Sequence, residues 1–224
     1  MFGQLFMRSK LGTNLFQYSD LMPFATTEVH LSKWSGVKKK AINANFIKTP
    51  FCEISPTSTS VIPDPYGLII ATNGPVPRTI ERFWQMVIQH NVKKTVSLVE
   101  HMGNESNTRY KECYQYFPTE ENPVLTLKSE TDTDFFIKIS LKSLTLDKHI
   151  NRRTFDITFS YREETEGDDA ASPENKKGPL ITGKRTFQLI HFKGWVDQGM
   201  PTDPEALDAL LGIAKTDCAD FLRD

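Results

Sequence analysis

At 224 residues, with 38% apolar and 11% aromatic residues, the chain can bury a sizeable core and fits one domain better than two, which excludes disorder throughout. A formal net charge of -1, from 27 basic and 28 acidic residues, leaves no electrostatic footprint for nucleic acid or an anionic membrane. The three cysteines Cys52, Cys113 and Cys218 lack metal-ligand spacing and fit a reduced, cytoplasmic compartment, and neither an export signal nor a run of about 18 apolar residues occurs.

Phe2, Leu5 and Phe6 have helix-like spacing, which Gly12, Thr13 and Asn14 interrupt. The run Tyr18-Ser19-Asp20-Leu21-Met22-Pro23-Phe24 reads as a turn-rich segment, with Tyr18 a half-buried aromatic on the residues alone. Lys38, Lys39 and Lys40 read as a solvated loop. Alternation over Ala41 to Ile47 predicts a strand with Ile42, Ala44 and Phe46 on one face, while Asn43 and Asn45 tie neighbouring loops by side-chain hydrogen bonds. Residues 55 to 66 hold three prolines and read as a surface connection.

The stretch Gly67 to Val99 predicts strand, helix, strand. Leu68 to Ala71 form a short apolar run closed by Asn73-Gly74-Pro75, and a buried strand is expected. Ile80, Phe83, Trp84, Val87 and Ile88 then share one face of a helix, with Glu81, Arg82, Gln85 and Gln89 pointing away. Thr95 to Val99 give a second strand, and a crossover of this length normally leaves the two strands parallel. The centre is therefore α/β.

Cys113 lies in an apolar aromatic run with no histidine or helix start to lower its pKa, so a buried inert thiol is expected. From 124 to 192 the period becomes two: Ile137, Ile139 and Leu141 form one strand face, and Phe155, Ile157, Phe159 and Tyr161 another. Residues 162–179 are charged and apolar-poor, which predicts an exposed hairpin tip. The last helix is announced by Asp203 as cap and Pro204 in the first turn, with Leu207, Leu210, Leu211 and Ala214 as its apolar face.

Four phrases in this order, YSDLMPF, INANFI, ATNGPVPRTIERFWQMV and GWVDQGMP, resemble blocks of the cysteine-dependent tyrosine-specific protein phosphatases, over residues 14 to 224. The resemblance implies a twisted mixed β-sheet flanked by helices in an α/β (α+β) fold, needing neither metal nor cofactor. It implies that Tyr18 stacks on a substrate phosphotyrosine and that Asp20 accepts hydrogen bonds from the substrate main chain. Asp197 falls on the general acid, which protonates the leaving tyrosine oxygen because a phenolate is costly to expel at neutral pH. Trp195 would anchor this acid loop, with Gln198 and Gly199 supporting it. Val196 stands where the family usually has proline, which removes a fixed backbone angle.

The family's nucleophile loop, His-Cys, five residues and Arg, has no counterpart in these residues. Cys218 to Arg223 is a near miss with Arg one place early, no glycine for a phosphate cradle, and Asp217 and Asp220 beside it. The expectation is thus a single incomplete domain over 1–224, with the C-terminal part of the fold missing and no turnover of its own. An open sheet edge follows from that expectation, which a protein partner could cover. A phosphotyrosine protein or peptide is the substrate of a completed site; a non-catalytic interaction module and an inactive fragment stay open as alternatives.

Overall fold

The computed structural model describes residues 22–37, 41–47, 69–99, 113–164, 177–193, 195, 201 and 203–220, with side chains of the last helix to Gly212. In chain order the elements are β1 (Ala44–Ile47), β2 (Ile69–Thr72), α1 (Ile80–Gln89), β3 (Lys94–Ser97), β4 (Val124–Lys128), β5 (Phe136–Thr145), β6 (Ile150–Glu164), β7 (Lys177–Phe192) and α2 (Pro204–Asp220). Five strands form one sheet in the order β3-β7-β6-β5-β4; β3 runs parallel to β7 and every other pair is antiparallel. The expected mixed sheet is present.

The period-two stretch makes the middle of that sheet. Ile137, Ile139, Phe155, Ile157, Phe159, Phe187 and Leu189 are buried together on the face that also holds Phe83, Trp84, Val87 and Ile88 of α1. Ile150, Ile190 and Phe192 alternate to the opposite face and pack with Ala206 and Leu210 of α2. β6 and β7 thus each supply both cores, as their pleat allows. In α2 the buried stripe is Ala206 and Leu210 with Leu207 partly covered, while Leu211 is exposed, so the expected face is rotated.

The crossover reading needs correction. β2 pairs antiparallel with β1 in a separate two-stranded sheet, and β3 pairs with β7, so the strands either side of α1 share no sheet. β2 is also only partly covered, with Ile69 exposed. A four-residue strand fixes hydrophobic spacing but not its partner, and Asn43 supplies the carbonyl that binds the Asn73 amide at 3.3 Å and the Thr72 hydroxyl at 2.9 Å. Asn45 ties loops as expected, donating from Nδ2 to the Phe24 carbonyl at 3.1 Å and to Thr27 Oγ1 at 2.8 Å.

The polar side of α1 is a second correction. Arg82 and Gln85 are buried, because residues around Ser32 and Ala41 pack across that side. The Arg82 Nη1 donates to the Ala41 carbonyl at 2.8 Å, Gln85 Nε2 to the Ser32 carbonyl at 2.9 Å, and Gln89 Oε1 accepts the Ser32 amide at 2.8 Å. Burial pulls the Arg82 guanidinium below its ordinary pKa, against the pull of Glu81. A helix expected to be half wet is therefore enclosed by backbone acceptors.

The hairpin stem reaches further than composition implies. β6 continues to Glu164 and β7 begins at Lys177, so 162–164 and 177–179 belong to strands, and 165–176 lie outside the described residues. Arg162 stiffens this end, its Nε 2.7 Å from Asp134 Oδ2 and its Nη1 donating to the Gly178 carbonyl at 3.0 Å. Further along β7, Gly183 lies under the Phe159 ring, and a Cβ there would sit 2.5 Å from Cζ. The ring also carries the Arg185 guanidinium at 5.2 Å from its centroid, so it has little room to yield. Gly183→Ala is expected to lower stability by about 1–3 kcal/mol, the cost of overpacking, read as a lower urea midpoint at unchanged slope.

Candidate active site at the carboxyl end of the parallel pair

Parallel strands end side by side, and in open α/β sheets ligands gather outside such ends. Here Ser97 at the end of β3 lies opposite His191 near the end of β7. The chain leaves β7 at Phe192, and Trp195 turns its ring edge-on to Phe192 with centroids 6.3 Å apart. The indole is 37% exposed, against 1% and 0% for Trp34 and Trp84. It is thus a surface anchor, not a core tryptophan.

Asp203 marks where the chain re-enters regular structure. Its Oδ1 accepts the Glu205 amide at 3.0 Å and the Ala206 amide at 3.2 Å, the capping role expected of it. The Ala206 amide bond, with help from His149, Glu205 and Lys148 and against slight burial, holds the carboxyl below its ordinary pKa. Asp197, Gln198 and Gly199 fall between these two anchors in sequence, outside the described residues, as do Tyr18 and Asp20. Of the expected site residues only Trp195 has a described position.

Two features near this end are absent from the sequence expectations. Asn151 and Arg153 prolong the apolar face of β6 by two polar steps, opposite His191 and Leu189 of β7. The Arg153 guanidinium lies over the Phe117 ring at 4.9 Å, and burial pulls it below its ordinary pKa, with Tyr116 and Glu120 acting the other way. Asn151 Oδ1 and Arg153 Nη1 are both buried without a hydrogen-bond partner among the described residues. Their signal in the sequence was the break in alternation itself. The other feature is His149, in the turn before β6, whose Nε2 lies 3.1 Å from Asp203 Oδ2.

Cys113 is fully enclosed and burial pushes its thiol up to about 12, so it has the character of the inert core cysteine expected. Cys218 sits inside the helical span of α2, and Cys52 lies outside the described residues. Among the described residues no three His, Cys, Asp or Glu side chains group as metal ligands, and no helix is long and apolar enough to cross a membrane.

The arrangement has close parallels. Rat receptor-type tyrosine-protein phosphatase epsilon is 32% identical over 149 residues, covering 65% of this chain and 17% of that protein. An Arabidopsis thaliana protein-tyrosine-phosphatase, PTP1, is 29% identical over 196 residues, covering 87% of this chain and 46% of its own length. The crystal structure of the catalytic domain of human protein tyrosine phosphatase non-receptor type 18 superposes with a TM-score of 0.58 at 23% identity, over 90% of this chain and 56% of that one. The chain spans less than half of either curated relative and a little over half of the solved domain. Residues 13–220 match the family model described as protein-tyrosine phosphatase, and with the α1 block, the parallel β3–β7 pair and the Trp195 anchor in place, the chain belongs to the protein-tyrosine phosphatase family.

Proposed function

We propose that these residues supply the scaffold, the substrate-recognition loop and the acid loop of a phosphotyrosine-hydrolysing site. In this reading Tyr18 stacks on the phosphotyrosine ring, Asp20 accepts from the substrate main chain, and Asp197 protonates the leaving tyrosine oxygen. The same carboxylate then serves as base for water, as microscopic reversibility requires of one group on one side of the phosphorus. Trp195, Gln198 and Gly199 set the acid loop's position. One observation carries the reading: Trp195 is seated on the end of β7 two residues before Asp197, and Asp203 restarts helical structure six residues after it.

Attack on phosphorus needs a thiolate with backbone N–H groups and an arginine around the phosphate, and no His-Cys, five residues, Arg segment lies within the 224 residues. The 224-residue polypeptide alone is therefore expected to leave a phosphotyrosine peptide intact, with phosphate release at the rate of buffer. Hydrolysis that disappears on alkylation of cysteine would overturn this. Solved complexes of the non-receptor type 18 enzyme hold phosphopeptides of HER2; for this chain a phosphotyrosine protein or peptide is the corresponding ligand. The buried free thiol of Cys113 suits a reducing, cytoplasmic setting.

A second reading, a non-catalytic module that binds a protein partner, draws on one feature. Val96 of the edge strand β3, Leu98 just after it and Leu211 of α2 are exposed. Binding of a partner independent of phosphotyrosine would favour it.

A further inference from the structure

We propose that His149 is a positioning residue that holds both ends of the acid-loop segment, bracing Lys193 with its backbone and Asp203 with its side chain. The proposal rests on reading residues 194–201 as the acid loop. The turn between β5 and β6 comprises Leu146, Asp147, Lys148 and His149. On the near side of the segment, the Lys193 amide donates to the His149 carbonyl at 2.7 Å, and Lys193 Nζ donates to the Asp147 carbonyl at 2.6 Å. On the far side, His149 Nε2 donates to Asp203 Oδ2 at 3.1 Å, while Asp203 Oδ1 is occupied by the first amides of α2.

The two carboxylate oxygens of Asp203 therefore do different work. One caps the helix and the other receives the imidazole. His149 is also next to Ile150, which lies opposite Phe192 in the β6–β7 ladder, and Phe192 carries the Trp195 ring. One turn thus fixes the exit from β7, the entry to α2 and, through Phe192, the anchor between them. With both ends bonded to a single residue, the distance the segment must span is set by the sheet, which is what a general acid aimed at one oxygen requires. The imidazole is partly exposed, so solvent competes for the bond; its contribution is to position more than to stabilise.

Trp195 provides a readout that needs no catalysis. The chain has three tryptophans, so a nitrogen-15-labelled 224-residue sample gives three indole N–H signals, with Trp34 and Trp84 as buried controls. Variant His149→Phe keeps the ring's bulk and removes the donor; Asp203→Ser keeps a capping oxygen and removes the acceptor. Each is expected to move the Trp195 signal by more than a linewidth in the same direction and leave the Trp34 and Trp84 signals in place. The double variant is expected to move it no further, and His149→Gln, which keeps an amide donor, to restore most of the wild-type position. A Trp195 signal unmoved in either single variant, additive shifts in the double variant, or movement of all three indoles together would overturn the proposal. If Asp197 proves not to be the acid in an assay of a completed site, these shifts would be unaffected, so the two failures are distinguishable.

Discussion

Replacing Trp84 with alanine is expected to remove about 3–5 kcal/mol of stability, the range for emptying a fully buried aromatic site. Trp84 has no exposed surface and sits where three parts of the chain meet. Its ring stands edge-on to Phe187 of β7 at 5.2 Å and to Phe155 of β6 at 6.4 Å, with Phe83 beside it at 5.5 Å. Its Nε1 donates to the Tyr116 carbonyl at 2.8 Å, fastening the 113–118 segment to the helix. Alanine would both leave a cavity and remove the indole N–H from the Tyr116 carbonyl, and such losses compound. Trp84→Phe separates them, since it refills part of the space and restores no donor, and a cost of about 1–3 kcal/mol is expected. Urea unfolding followed by circular dichroism reads both. A loss below about 1.5 kcal/mol for alanine would mean that the neighbouring rings close over the gap, beneath the lower end of the usual range.

The same helix shows where sequence patterning succeeds and where it stops. The apolar face of α1 was legible because Ile80, Phe83, Trp84, Val87 and Ile88 repeat at the helical period. Its other side was misread because periodicity scores Arg82 and Gln85 as polar and takes polarity for exposure. What decides their burial is a set of carbonyls at Ala41 and Ser32, far away in sequence. The strands β5 and β6 and the hairpin that follows them were legible for the opposite reason: alternating faces are local, and pairing between neighbours in sequence adds little choice. The partners of β2 and β3 were not legible, since four-residue strands carry too little pattern to select a neighbour.

At the site the balance differs. Trp195 and Asp197 were read as one phrase, because a family resemblance preserves order where a lone aspartate in a turn would mean nothing, and Asp203 was read separately, as the cap before Pro204; of the three, Asp197 lies outside the described residues. His149 was not readable. In the sequence it is one more polar residue in a charged turn, and only the fold brings it to Asp203 across 54 positions, from 149 to 203. Arg153 and Asn151 fall between these cases, since the polar break in the β6 alternation was visible but its meaning required the neighbouring strand.

Asp132→Asn is expected to cost about 2–3 kcal/mol at neutral pH, the scale of a lost charge-assisted hydrogen bond, and the cost is expected to fade in acid. Asp132 is 5% exposed and lies in the connection from β4 to β5. It accepts the Ser35 hydroxyl and, at 3.0 Å each, the Lys177 ammonium and the Asp134 amide. Those three donors come from the 33–37 turn, the first residue of β7 and its own turn, so one carboxylate joins three segments at the stem of the β6–β7 hairpin. Gly36, at φ +84, lets the backbone approach, since a Cβ there would meet Asp132 Cβ at 2.8 Å. Burial pushes the carboxyl up, but the Ser35, Lys177 and Asp134 contacts together outweigh it and hold it below the ordinary carboxylate value. A depressed folded-state pKa contributes stability that is fully present above the unfolded-state value of about 3.9 and is lost as pH falls through the folded value. Wild type should therefore lose this contribution below about pH 4, whereas Asp132→Asn has none to lose, so the two unfolding free energies should converge on acidification. Urea titrations of both proteins between pH 7 and pH 3 measure the gap. A difference that stays constant across that range would show that the carboxylate's charge is not what holds the three segments together.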